Sequence, residues 1–398
     1  MAKGAWIGVG GKARKIKNMY IGIGGKARKI KKAWIGVGGK ARLFFSSEAT
    51  YTKYTGTISG LNLTSIHTAV SNGNYAFFRG SSYNDKEDRT FINVTAYNAS
   101  LTKKSPTAPY FNDDRRGTCL GQNSKYIVVN GGRRDRNMTY FSKYMDCYDA
   151  SLTKTLMSSA AGRVEYHVSD TIGDNILFVG GSTGSGNTGT SAVIGYNSSL
   201  TSISGIASLS TARYRFTFHG RVGNYAVFAG GQSGGNSKTN VDGYNASLTR
   251  TAGTALPTAI DCNSINNCCN SSYMICTRGY WNSASADCTT YAINSSLTVS
   301  SPAKPTYTPY EGTGASTPDC AVIISGYKST GVGRNTVEGW NTSLTKVSLP
   351  NLTTGRLNAG AAMIGDYLLV GGGSIDYDND SDPSRNIYTN TVEAYTIS

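Results

Sequence analysis

From about Tyr51 onward the chain alternates short β-branched or aromatic runs with glycine-rich polar turns, a pattern that favours strands over long surface helices. One apolar run recurs. It reads NYAFFRG ending at Gly80, KYIVVNGG with Gly131, NILFVGG with Gly180, NYAVFAGG with Gly230, SYMICTRG with Arg278 in that place, DCAVIISG with Ser325, and DYLLVGGG with Gly372. Successive spacings are 51, 49, 50, 48, 47 and 47 residues. A second marker follows in the same phase: YNASLT at Tyr97, YDASLT at Tyr148, YNSSLT at Tyr196, YNASLT at Tyr244, INSSLT at Ile293 and WNTSLT at Trp340. Seven phased copies of about four strands predict an all-β, seven-bladed propeller. The last copy stops after its third strand, at TVEAYTIS, while YTKYTGTISGL (Tyr51 to Leu61) reads as an orphan outer strand. Pairing the two closes the ring and removes an open edge.

Upstream, the period changes. WIGVGGKAR (Trp6 to Arg14), YIGIGGKAR (Tyr20 to Arg28) and WIGVGGKAR (Trp34 to Arg42) recur every fourteen residues. Each unit reads as strand, glycine turn and strand, with Arg14 and Ile16 on one face of the second strand and Lys15 and Lys17 on the other. Two-stranded units bury little, so the segment is expected to need a partner surface or self-association. The expected organisation is basic hairpin repeats over 1–45, then a propeller over 46–398 whose last blade is closed by the 51–61 strand.

Charge follows the same division. The chain has 398 residues with 39 Lys and Arg against 24 Asp and Glu, a net +15. Twelve of those basic residues and no acid lie between Met1 and Arg42, so the remaining 356 residues are nearly balanced, at 27 against 24. No run of eighteen apolar residues is present, which excludes an ordinary membrane-inserted helix. The opening MAKGAWIGVGGKARK has glycines and lysines where a secretory signal needs an apolar stretch, so synthesis in the cytoplasm is expected. The eight cysteines form no CxxC pair, and the histidines lie far from them in sequence, so free buried thiols are expected over zinc or disulfides.

Arg213 leads into YRFTFHGRVGNYAVFAGG, Arg163 into VEYHVSDTIGDNILFVGG and Arg356 into LNAGAAMIGDYLLVGGG. This arrangement of an arginine, a hydrophobic strand and two glycines resembles the kelch repeat over roughly residues 50 to 398. The chain departs from kelch repeats in using SLT where they usually place an outer-strand Trp, and units five and six lose the double glycine. The resemblance implies a kelch-like propeller, a fold that serves both as binding module and as enzyme. The GVGGKAR triplet resembles segments that recur in structural and tail-associated proteins of phages and prophages of Gram-positive bacteria. It implies a location on the virion, reached after synthesis in the host cytoplasm, with no enzymatic role.

Candidate chemistry is sparse. A copper radical site of the kelch oxidase type needs two histidines and a Tyr linked to a Cys. His67, His167 and His219 fall near the inner strands of three separate blades, and His167 and His219 are not equivalent when the glycine steps are aligned, so core or turn roles are expected. There is no SxDxGxxW Asp-box and no nucleophile beside a base, so no enzyme is expected. Asn98, Asn197, Asn245, Asn294 and Asn341 read as turn residues bonding their own backbone.

The loops after the glycine steps should emerge on one face. They offer Tyr83, Arg133, Arg134, Arg136, Tyr140, Tyr280, Trp281, Tyr327 and Tyr377, a set suited to sugars with apolar C–H faces rimmed by hydroxyls. Asp376, Asp378, Asp380 and Asp382 alternate like the start of a calcium loop. They lack the glycine at the sixth place (Ser381) and the glutamate at the twelfth (Ile387), so a solvated acidic loop is expected over calcium, and no cofactor.

In the triplet, Trp6, Lys12, Arg14, Tyr20, Lys26, Arg28, Trp34, Lys40 and Arg42 repeat at fixed places and form the expected anchoring set. Their expected partner is an acidic surface of other virion proteins, ahead of nucleic acid. The reading is therefore a virion protein anchored by its hairpins, with the propeller binding a host surface glycan or receptor. Its alternatives are a decoration or tail component contacting only virion proteins, and a propeller enzyme acting on surface polysaccharide. Both a monomer and a trimer held by the hairpins fit.

Overall fold

Each recurrent apolar run is the second strand of an antiparallel blade, and it is apolar throughout because both of its faces are covered. In Tyr225–Ala229, Ala226 and Phe228 pack with Val168, Leu177 and Val179 of the preceding blade. Val227 and Ala229 pack with Cys269, Met274 and Cys276 of the following one. A strand that alternates between two neighbours has no solvent face on which to place polar residues.

The computed structural model describes residues 6–9, 12–15, 19–23, 26–30, 32–37, 40–46, 49–62, 66–84, 89–107, 118–132, 142, 144–158, 166–182, 188–215, 218–260, 268–278, 288–326, 332–376 and 387–397. In the strands of 6–46 apart from Met19, and at 66–67, 81–84 and 89–92, that description covers backbone alone. The protein is all-β, with seven blades and no helix among the described residues. Contacts divide the chain into two units, Met1–Thr50 with Ser398, and Tyr51–Ile397.

In the larger unit, six blades are four-stranded antiparallel sheets, five of them in chain order and the last completed by Tyr51–Lys53. Their innermost strands are Ile66–Ser71, Cys119–Gln122, Val168–Ile172, Phe218–Val222, Thr313–Ser316 and Gly360–Ile364. The fifth blade has three strands, Tyr273–Arg278, Thr289–Asn294 and Val299–Ser300, with a single bridge from Cys269 to Met274 at the inner place. Seven apolar clusters fill the seven seams between neighbouring blades, including the one between the last blade and the first. Serine and threonine hydroxyls also cross these seams at the inner strands: Ser169 donates to the Leu120 carbonyl, Thr171 to Gln122 and Thr313 to Ala359.

The SLT marker is a turn that projects its leucine into a seam. Leu101, Leu152, Leu200, Leu248, Leu297 and Leu344 all take a left-handed backbone, with φ between +58° and +61°. A bulky residue pays roughly 1–2 kcal/mol for that conformation. The turn is secured by the residue three positions before each leucine. The Oδ1 of Asn98, Asp149, Asn197, Asn245, Asn294 and Asn341 accepts backbone N–H bonds from the residues two and four ahead, as in Asn245 with Ser247 and Thr249, both at 3.0 Å. These asparagines are turn residues, as expected.

The double glycine and the upstream arginine form one device. Both glycines of each pair have positive φ, for example +66° at Gly230 and +93° at Gly231, and a Cβ on Gly230 would stand 2.5 Å from the Ile260 carbonyl oxygen. Arg213, in the connector from the third blade to the fourth, accepts from Gly181 N–H through its backbone carbonyl. Its guanidinium donates to the carbonyls of Gly230 and Asn240, at 2.8 and 3.0 Å, and to the carboxylate of Asp242. Both side chains of that ion pair are fully buried. Arg356 repeats the arrangement in the last blade, bonding Gly372, Thr391 and Glu393. Burial pulls the Arg213 guanidinium down to about 10, opposed by Asp242, so it stays charged at neutral pH. In the sixth blade Ser325 takes the left-handed place itself, at φ +64°.

The ring closes through the segment after Thr50, but by a shorter strand than Tyr51 to Leu61. Only Tyr51–Lys53 pairs with Val392–Ile397, setting Tyr395 opposite Lys53 and Ile397 opposite Tyr51. Beyond it the chain leaves the sheet to become the connector into the first blade. Leu61 is buried in the seam between the last and first blades, and the Ser59 carbonyl accepts from the Tyr97 hydroxyl at 2.6 Å. Lys53 pairs with Glu393 at 2.8 Å, and Tyr51 bonds the Thr317 hydroxyl at 2.6 Å. Burial opposes ionisation of Glu393, yet bonds from Lys53 and Thr353 and the Arg356 charge hold its carboxyl below the ordinary value.

The smaller unit contains three separate hairpins, Trp6–Val9 with Lys12–Lys15, Met19–Ile23 with Lys26–Ile30, and Lys32–Val37 with Lys40–Ser46. All three share one register across the repeat: Val9 faces Lys12, Ile23 faces Lys26 and Val37 faces Lys40.

Two outcomes follow from this packing. A chain beginning at Gly56 should unfold at lower temperature and self-associate through the uncovered Val392–Ile397 edge, whereas one beginning at Ala49 should behave as the full ring; differential scanning calorimetry and sedimentation velocity compare them. Asp242→Ala leaves the Arg213 guanidinium buried without its carboxylate and should lower the unfolding free energy in urea by roughly 3–5 kcal/mol.

Candidate functional site

Small residues on the inner strands leave space along the propeller axis. The resulting cavity, of about 400 Å³, is lined by the inner strands of the first, second, third, fourth, sixth and seventh blades. Its two sides differ. Gln122, His167, Ser169, Asp170 and His219 line it from blades two to four, while Ala315, Ala361 and Met363 line it from blades six and seven together with Thr313, Ser316 and Asn358.

The polar side has an unusual bonding state. His167 is 5% exposed, and neither ring nitrogen has a hydrogen-bond partner; its ring lies 5.8 Å from that of Phe178. Burial pulls the imidazole down from its ordinary 6.5 to about 4, so at neutral pH it is uncharged, with one donor and one acceptor nitrogen. The hydroxyls of Thr68 and Thr118, which also line the cavity, have no partner either. On the neighbouring strands, His219 Nδ1 lies 3.5 Å from Asp170 Oδ2, the outer limit of a hydrogen bond, while Asp170 Oδ1 accepts the Thr171 N–H at 2.7 Å. Near the start of the seventh inner strand, Asn358 donates to Glu311 at 3.3 Å, and burial raises the Glu311 carboxyl against that bond. Cys119 lines the same cavity as a free thiol that burial pushes up to about 12, which disfavours the thiolate a nucleophile needs.

Sequence reasoning named His167 and His219 without assigning them a site, and missed Asp170, Thr68 and Thr118. A signal was available. His67, Thr118, His167, Gly312 and Ala359 each stand thirteen residues before their blade's glycine-step position, so they occupy one level of the inner ring. His219 stands eleven before it, two residues further along its strand. His67 pairs with Gly80 in the backbone ladder. Among the described residues, no group of three His, Cys, Asp or Glu side chains is placed to hold a metal ion. The seven described cysteines are free, six of them buried.

The residues proposed from the loops fall elsewhere. Tyr83 lies opposite Thr90 in the long second hairpin of the first blade. Arg133, Arg134, Arg136, Tyr140, Tyr280, Trp281, Tyr327, Tyr377, Asp378, Asp380 and Asp382 lie outside the described residues. Asp376 ends the short strand Ser374–Asp376 and is half-buried opposite Ile387. In the hairpins, Trp6 is opposite Lys15, Tyr20 opposite Lys29 and Trp34 opposite Leu43, while Arg14, Arg28 and Arg42 are opposite Ile7, Ile21 and Ile35. Ring positions and arginine positions therefore belong to alternating sets of cross-strand pairs. No protein-family model and no curated protein matches the chain.

The depressed His167 value makes stability depend on pH. The unfolded chain takes up this proton first as the pH falls, so the stability conferred by the neutral ring is complete above 6.5 and is lost between 6.5 and 4. Replacing His167 by Phe should reduce the loss of urea stability between pH 7 and 4 by up to about 3 kcal/mol relative to the unaltered chain.

Proposed function

We propose that this chain is a structural protein of a phage virion, anchored to the particle by its basic hairpins, with a kelch-like propeller that binds a glycan or receptor of the host surface without chemical turnover. The observation that carries the reading is the coincidence of two boundaries. The basic residues are concentrated before Arg42, and the contacts separate a unit ending at Thr50 from the propeller. Hairpins of two strands are marginal alone. Three of them in one register, with Lys12, Lys26 and Lys40 at the same ladder position, suit repeated docking on an acidic protein surface.

Two features support a kelch-like propeller: the double left-handed glycines, and the buried arginines Arg213 and Arg356 that bond their carbonyls. The sequential antiparallel order sends every connection between second and third strands to the same end of its blade. We assign the aromatic and arginine-bearing loops read from the sequence to that end. Burial that holds the Cys119 thiol protonated disfavours a cysteine nucleophile in the channel.

Co-sedimentation tests the reading. Full-length protein and a chain lacking residues 1–45 are each mixed with particles devoid of this protein, and separately with host cells. The full-length chain alone should pellet with particles, both should pellet with cells, and neither should release reducing ends from cell-wall polysaccharide. Particle binding by the shortened chain would transfer the anchor to the propeller. Absence of cell binding would leave a component that contacts only virion proteins.

A further inference from the structure

In a well-packed interior nearly every buried polar atom has a partner, and an orphan requires a physical reason. Here four orphans share one cavity wall: the Thr68 and Thr118 hydroxyls and both His167 ring nitrogens. They come from three consecutive blades, and Thr118 and His167 stand at the same level of the inner ring. Next to them Asn130, fully buried at the end of Ile127–Asn130, has no partner for either side-chain amide atom. Strand alternation puts it on the side of Val128, towards the third blade.

The chemistry of these groups selects among ligands. Hydroxyls and a neutral imidazole both give and accept hydrogen bonds, as do the hydroxyls of a sugar or polyol. The lining contains no Lys or Arg, and Asp170 presents a carboxylate, so an anion finds repulsion there; the buried Arg79, which acts electrostatically on Cys119, is already engaged by other groups. The opposite wall mixes apolar surface for a C–H face, at Ala315, Ala361 and Met363, with the polar side chains of Thr313, Ser316 and Asn358. A volume of about 400 Å³ lies within the range of small-molecule sites.

We propose that the central channel is a binding site for one neutral sugar or polyol unit, with Thr118 and His167 as its hydrogen-bonding anchors and the His219 and Asp170 pair as a further contact. This inference deepens the glycan-binding reading by adding to the loop face a second site, in the channel, for a single residue of the polymer or its free unit.

The test uses the full chain and a defined panel of glucose, galactose, N-acetylglucosamine, rhamnose, ribitol and glycerol, with glucuronate as the charged counterpart. Each is titrated while the histidine ring resonances are followed by NMR. At least one neutral member should shift both the His167 and His219 rings, and glucuronate should bind more weakly than glucose. His167→Phe, which fills the polar place with an apolar ring, should weaken binding of that member about tenfold or more, the loss expected when a buried hydrogen-bonding pair is broken. Thr118→Val, a smaller change, should weaken it in the same direction, so the result does not hang on one variant's folding.

If no neutral member moves either ring, or if binding is unchanged in both variants, the channel site is refuted. The two readings fail separately. Cell binding with silent histidine rings removes the channel site and keeps the surface-binding function. Panel binding without cell binding does the reverse.

Discussion

The fold depends on covering both faces of every blade. A twisted four-stranded sheet with two apolar faces is insoluble alone, and each blade is covered only because it has two neighbours. Seven seams satisfy seven blades only when the ring is closed, so the three-residue strand Tyr51–Lys53 has an importance out of proportion to its length. It covers the edge of Val392–Ile397, and its Tyr51 and Lys53 add polar bonds to Thr317 and Glu393.

Closure also explains where charge is buried. Blades two, four, six and seven have an acid two positions before the third-strand aromatic, at Asp146, Asp242, Glu338 and Glu393. Each is met by a cation of the outer strand: Lys154, Arg250, Lys346 and Lys53. In two of these blades an arginine from the preceding connector adds a second positive group and bonds the glycine-step carbonyl. Buried ion pairs add little net stability over apolar packing, but they are intolerant of wrong partners. With seven nearly alike apolar seams, such pairs give particular connectors a fixed place.

What could be read from the sequence was whatever the repeat imposes on every blade. The apolar runs, the Asn turn and the shared last blade each recur or complete a count, so the phase alone located them, whereas SLT, read as part of the outer strand, is the turn that precedes it. The length of the closing strand was overread, because Tyr54 to Leu61 resembles a strand in composition while Leu61 is needed in a seam. The channel was illegible for the opposite reason. Its groups come from different blades and break the repeat, and the property that distinguishes them, a missing partner, belongs to the neighbourhood and not to the residue. Thr118 and Cys119 look like ordinary strand residues until the second and third blades are set side by side.

His167 is not explained by stability. Its ring contacts Phe178 as an apolar ring would, and its burial penalises the charged form without any bond in return. An apolar side chain of the same shape there would remove two unpaired polar atoms from the seam, a change that is neutral or favourable in folding terms. The same reasoning applies more weakly to Thr118, whose buried hydroxyl also has no partner. Polar groups that the fold does not use, gathered at one cavity, make sense when their partner arrives from outside the chain. Those missing partners, absent from the repeat itself, are the physical argument for a function inside the ring as well as on its loops.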